Sequence, residues 1–195
     1  MEKELLNIKS TFENSYDVLN SIKNEITEVN FSKGGEVFFR GLYTPFLSFK
    51  YGLFNNSPGR ITNSEKNYTF KYCFNNNNKL IFVLRNLDGI AMEEFIIEYR
   101  GNEIGLTYNP KEKELTDITL CKYDGNKISS VCYAHIMKWM DSVSFSFTEE
   151  RYKYTDDALI SMEEITGDTK YPTRFFSFYE FNDNKFKLVK QDISK

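Results

Sequence analysis

The sequence has few of the residues that hydrolases use for catalysis and that metal proteins use as ligands. It contains one histidine, His135, and three cysteines among 195 residues. Any histidine-dependent triad therefore has one candidate base, and no GxSxG, HExxH, GxGxxG or EF-hand spacing occurs. An odd number of cysteines without a paired motif is typical of a reducing compartment. We expect a cytoplasmic protein with no catalytic set, no metal and no cofactor.

Long runs of one kind of residue are also missing. Lysine and arginine form no basic run, and the net charge is −3, so nucleic acid is not an expected partner. No stretch approaches the ~18 apolar residues of a membrane span. The first residues have no apolar core of signal-peptide length. The composition therefore favours neither a nucleic-acid-binding nor a membrane protein.

Aromatic residues are abundant, with 18 Phe and 13 Tyr, and this composition favours strands over helices. One hairpin signature recurs in the second half: an aromatic residue, four polar or small residues and an apolar residue. The copies are Tyr99–Ile104, Tyr123–Ile128, Tyr154–Leu159 and Phe181–Phe186. If the middle two polar residues form a type II′ turn, each aromatic residue faces its apolar partner across the ladder.

These patterns predict a mainly β (α+β) fold in a single domain, 1–195. Residues 1–30 have apolar side chains at helical spacing, and we predict one amphipathic helix there. Residues 36–195 are predicted to form a long antiparallel β-meander, either a strongly curved sheet or a partly closed barrel, with the helix packed on it. The segment 158–165 is ambiguous, and a strand is favoured over a short helix. Aromatic positions change parity after Glu149-Glu150, which predicts a β-bulge near 149–151.

Few residues remain as candidates for chemistry. Cys132 lies three positions before His135 on one predicted strand, so the two side chains should point to opposite faces and share no metal ion. With a turn at Gly125-Asn126, Cys121 and Cys132 are expected diagonally on one face of the hairpin. Trp139 is of a type enriched in binding hot spots, but a core position is the favoured interpretation.

Over residues 99–190 the aromatic-polar-apolar hairpins, such as Tyr123–Ile128, resemble the YD-type β-meanders of bacterial toxin systems. The whole profile is similar to small cytoplasmic immunity proteins encoded beside such toxins. The resemblance implies stoichiometric inhibition of a cognate toxin and transfers no functional residue. The oligomeric state remains open.

Three hypotheses follow for function. The first is a non-enzymatic immunity protein that binds a toxin through aromatic and acidic side chains. Its predicted surface consists of Glu149, Glu150, Tyr152, Tyr154, Asp156 and Asp157, and the acidic side of the N-terminal helix is the second choice. The other hypotheses are a lipocalin-like small-molecule carrier, which requires a closed barrel, and a hydrolase using carboxylates from neighbouring strands.

Overall fold

The computed structural model describes residues 1–34, 59–87, 89–140, 142–156, 158–182 and 185–194. The N-terminal segment is helical but interrupted. Helix α1 spans Glu2–Phe12, α2 spans Tyr16–Leu19, and a 3₁₀ helix covers Asn20–Glu25. The predicted N-terminal helix is confirmed, but it is interrupted and ends at residue 25 instead of continuing to residue 30. The break falls at Asn14-Ser15, where the Ser15 hydroxyl donates to the carbonyl of Thr11, a local bond of the kind that competes with helix continuation.

The last residues of the N-terminal segment form a strand, because they pair with the sheet. The Thr27 N–H donates to the carbonyl of Phe74 at 2.9 Å, and from Glu28 onward the chain forms β1. The strands are β1 Glu28–Lys33, β2 Arg60–Thr62, β3 Phe70–Phe74, β4 Leu80–Leu87, β5 Ile90–Tyr99, β6 Asn102–Asn109, β7 Glu114–Asp124, β8 Lys127–Lys138, β9 Val143–Thr155, β10 Ala158–Asp168, β11 Arg174–Asn182 and β12 Lys185–Ser194.

All twelve described strands form one antiparallel sheet. From β3 to β12 every strand lies beside the next one in sequence, and β1 lies between β3 and β2. The predicted meander is confirmed, and the ambiguous segment at 158–165 is a strand as favoured. The part of the sheet that the structure describes is not closed into a barrel. Among the described strands, β12 and β2 form its two edges.

Both faces of the sheet carry buried side chains. The face we call the helix face holds the larger cluster, in which α1 and α2 contribute Leu5, Ile8 and Leu19. Phe12 and Ile26 pack against this cluster, as predicted. The opposite side, the far face, carries a second buried cluster from β3 to β11: Phe70, Tyr72, Val83, Ile96, Cys121, Val131, Tyr133, Tyr152, Met162 and Tyr179.

Burial on both faces explains why the bulge predicted near 149–151 was wrong. Strand β9 keeps an unbroken register with β8 and with β10 across that segment. Phe145 and Phe147 are buried on the helix face, whereas Tyr152 is buried on the far face. The aromatic positions change parity because the aromatic side chains of β9 move from the helix-face cluster to the far-face cluster. No residue is inserted.

Bulges do occur, at positions that the hydrophobic pattern does not mark. Five hairpins contain one register shift each, and the extra residue always lies on the second strand. The extra residues are Ile81, Thr116, Ser129, Ile160 and Val189. A bulge bends its strand and increases the local twist, so the repetition contributes to the curvature of the sheet.

Three of the four repeated hairpins pair as predicted. Tyr123 lies opposite Ile128, and Gly125 has φ +59°, the positive value that a type II′ turn requires at its first central residue. The third and fourth copies pair at Tyr154–Leu159 and at Phe181–Phe186.

The first copy differs from the prediction. Tyr99 pairs with Asn102, so Arg100 and Gly101 form the turn, with φ values of +53° and +76°. Positive φ at both central residues defines a type I′ turn, and glycine at the second position accepts it without strain. Ile104 consequently lies opposite Ile97 instead of Tyr99.

Polar contacts lock the helical segment onto the sheet. Glu93 of β5 accepts hydrogen bonds from the hydroxyl of Tyr16 at 2.8 Å and from Nζ of Lys23 at 2.7 Å. Burial, together with this carboxylate, raises the pKa of Tyr16 from 10.0 to about 12. Lys122 of β7 reaches Glu4 of α1 at 2.7 Å. Within the described residues, no helix has the length and apolar character needed to cross a membrane.

Candidate protein interface

The residues predicted to form an acidic, aromatic surface on β9 lie on two sides of the sheet. Glu149 is on the helix face, where Arg151 donates to it at 2.9 Å. Glu150 is on the far face and only 1% exposed, and it accepts a hydrogen bond from the hydroxyl of Tyr152. Tyr152 is itself buried at 7% exposure. The side chains of Glu150 and Tyr152 are therefore buried and bonded to each other, so neither is available for contact with a partner.

Two further residues of the predicted surface, Tyr154 and Asp156, lie beside or in the β9–β10 turn. Tyr154 is half-buried, and Nζ of Lys127 lies 5.5 Å from its ring centroid. Asp156 is exposed with φ +52°, and its carbonyl accepts a hydrogen bond from Lys127. Asp157 lies outside the described residues. The structure thus brings Tyr154 and Asp156 to one rim but does not unite all six residues.

Two acids on the acidic side of the N-terminal segment, Glu13 and Asp17, pair with lysines. Asp17 accepts hydrogen bonds from Lys113 at 2.7 and 2.8 Å. An open cleft of about 370 Å³ lies nearby and is lined mainly by charged side chains of α1 and the β6–β7 turn. Two of these lining residues, Lys9 and Glu13, form an ion pair. Small-molecule sites are mostly apolar, so this cleft does not resemble one.

The sheet also aligns three residues that the sequence analysis did not connect. Asp117, His135 and Ser146 occupy directly opposed positions on β7, β8 and β9. Asp117 Oδ1 is 3.0 Å from Nδ1 of His135, whose side chain is 58% exposed. Within the described residues, Ser146 forms no hydrogen bond with the imidazole. Asp117 and His135 therefore form an exposed histidine–carboxylate pair. The three residues are not arranged as a nucleophilic triad, which also requires a hydrogen bond between serine and histidine.

The cysteines are buried, and their geometry corrects one prediction. Cys121 belongs to the far face and Cys132 to the helix face, so they are not diagonal neighbours. The bulge at Ser129 shifts the register by one residue and reverses which residues of β8 share a face with Cys121. As predicted, Cys132 and His135 lie on opposite faces. No group of three or more potential metal ligands gathers among the residues that the structure describes.

Burial controls the chemistry of all three thiols. It raises the pKa of Cys73 from 9.0 to about 11, and those of Cys121 and Cys132 to about 12. The thiolate is the reactive form, so we expect these side chains to react only slowly in the folded protein.

Exposed apolar side chains collect at the opposite rim of the sheet. Trp139 and Met140 follow β8 and are 42% and 101% exposed, so the core position favoured for Trp139 was wrong. Tyr171 in the β10–β11 turn is 53% exposed, and Phe175 at the start of β11 is 50% exposed. We call Trp139, Met140, Lys170, Tyr171 and Phe175 the aromatic rim.

Polar contacts hold Trp139 and the β10–β11 turn of the aromatic rim. The indole N–H of Trp139 donates to Oγ of Ser144 at 3.0 Å, and Nζ of Lys170 lies 3.7 Å from a ring centroid of the indole. The guanidinium of Arg174 donates to the carbonyls of Asp168, Tyr171 and Thr173, which ties the β10–β11 turn together.

The chain has no match among protein-family models, curated proteins or solved structures.

A rim of this composition is suited to protein contact. Trp, Tyr and Met are enriched at protein interfaces, and Trp and Tyr dominate their hot spots. Side chains fixed before binding lose less conformational entropy on association. The sequence signal was Trp139-Met140 beside a turn, but its exposure depends on where β8 ends and how the next turn packs.

Proposed function

We propose that this protein is a non-enzymatic binding protein and that the aromatic rim is its contact surface. The observation that carries the proposal is that the β8–β9 turn, the β10–β11 turn and the start of β11 expose a Trp, a Met, a Tyr and a Phe, with Lys170 of one turn lying over Trp139 of the other. Large exposed apolar side chains that stand alone need no explanation, but a group of them favours an interaction site.

The partner we propose is a bacterial toxin, which this protein neutralises in the cytoplasm by stoichiometric binding. Support comes from the resemblance of the repeated hairpins to toxin-system β-meanders. An open sheet also suits an inhibitor better than a carrier, because a lipocalin-like carrier encloses its ligand in a closed barrel. The hydrolase hypothesis has less support, since the carboxylates on β9 are internal or ion-paired.

Co-expression with the toxin encoded by the neighbouring reading frame tests the proposal. The parent protein should restore growth, and the purified pair should bind with one-to-one stoichiometry. Replacing Trp139 and Tyr171 with alanine should weaken binding by about 30-fold or more, because one interface hot spot contributes about 2 kcal/mol or more.

Ile90→Ala is the matched control, since Ile90 is apolar and 63% exposed but does not belong to the aromatic rim. The Asp156→Lys variant tests the remaining part of the surface predicted from the sequence. A rim variant that protects and binds as well as the parent would refute the rim as the contact surface. Failure of the parent to bind or protect would refute the toxin as partner.

A further inference from the structure

The last described strand of the sheet, β12, has an edge that no other described strand covers. It pairs with β11 on one side and has no described strand on the other. All its described side chains from Lys187 to Ser194 are exposed. Leu188, Val189 and Ile193 are 41%, 56% and 65% exposed. An edge with unpaired backbone groups and apolar side chains is a template for another strand.

The charges on β12 select which strand can pair with it. Lys190 and Asp192 form an ion pair on the helix face, opposite Phe178 and Phe176 of β11. Their side chains remain 63% and 48% exposed. An antiparallel copy of β12, related by a twofold axis at Gln191, places Lys190 opposite Asp192 of the second copy. The four side chains then alternate in charge around the axis.

A regular ladder around this axis spans Lys190 to Asp192, because Val189, which would face Ile193 of the second copy, is the extra residue of the β11–β12 bulge. Moving the axis to Lys190 would instead place the two copies of that lysine opposite each other, which is unfavourable. Charge complementarity therefore selects the register centred on Gln191.

We propose that β12 pairs with β12 of a second copy of this chain, in an antiparallel register centred on Gln191, to form a twofold dimer with a continuous sheet. This inference is independent of the proposed function, because the aromatic rim contributes no residue to the twofold contact. One edge strand buries less than the ~1,600 Å² of a standard interface, so the dimer is weak and reversible.

Sedimentation velocity over a range of protein concentrations tests the dimer. The parent should shift from monomer to dimer as concentration rises. Asp192→Lys puts four lysines around the axis and should raise the dimer dissociation constant by about tenfold or more. Lys190→Asp should act similarly with four carboxylates. The double variant, Lys190→Asp with Asp192→Lys, restores alternation and should recover dimerisation.

Lys111→Asp is the control, because it reverses an exposed charge in the β6–β7 turn, away from the edge. Circular dichroism of each variant checks that the sheet is intact. A parent that stays monomeric at its highest soluble concentration overturns the proposal. A dimer that neither single variant weakens, or that the double variant does not restore, overturns it as well.

Discussion

Gly105 of β6 occupies a position on the far face where no side chain fits. A Cβ atom built there would lie 2.2 Å from Oε1 of Glu94 and 3.3 Å from Cβ of Thr119. A carboxylate at the end of a flexible side chain can often move aside. Glu94, however, is only 6% exposed and Thr119 only 1%, so both neighbours are confined by the packing around them. We therefore expect Gly105→Ala to be destabilising.

Two opposing effects set the magnitude. Replacing glycine by alanine at an unstrained position stabilises a protein by about 0.4–1 kcal/mol, because the unfolded chain loses freedom. Overpacking a filled interior costs about 1–3 kcal/mol. The net loss for Gly105→Ala should be about 1–2 kcal/mol, and the melting temperature should fall by about 2–4 °C for each kcal/mol.

Urea unfolding of a double-mutant cycle with Glu94→Ala isolates the contact. Truncating Glu94 removes the carboxylate that the new methyl group meets, so Gly105→Ala should cost less in that background than in the parent. Equal costs in the two backgrounds would show that Glu94 is not the obstacle. A Gly105→Ala protein as stable as the parent would refute the steric argument altogether.

Two further predictions concern the cores. Leu19→Asp should destabilise the protein by about 3 kcal/mol or more, because Leu19 is 7% exposed in the helix-face cluster. Val18→Asp is the control and should cost little, because Val18 is 74% exposed. Equal melting temperatures for the two variants would show that α2 is not docked on the sheet. Cys73, Cys121 and Cys132 should react with a thiol reagent in denaturant without prior reduction, and only slowly in the native protein at neutral pH, where burial keeps them protonated. Rapid native labelling of any of the three would contradict its burial.

Much of the fold was predictable because the hairpin signature combines turn chemistry with cross-strand pairing. The pairs at Tyr123, Tyr154 and Phe181 follow from a local stretch of six residues. The first copy failed because Arg100-Gly101 and Gly101-Asn102 are both acceptable turns. Sequence does not show which of them the neighbouring strands favour.

Other features depend on tertiary structure that sequence does not encode locally. The bulge at Ser129 has no composition signal, yet it decides which face holds Cys121 and which holds Cys132. The candidate site was less predictable still. Glu150 and Tyr152 have the residue types of an interface, but burial on the far face makes them partners of each other.

The strand order determines how the molecule can come apart. From β4 to β12 each strand lies only beside its neighbours in sequence, as repeats do in a solenoid, so opening can proceed from the β12 end one strand at a time. The N-terminal segment opposes this independence. Its Glu4 contacts Lys122, 118 positions away, and its 3₁₀ helix contacts β5 through Lys23 and Glu93. We therefore expect these contacts to couple the unfolding of the middle strands, so that they unfold in one cooperative step.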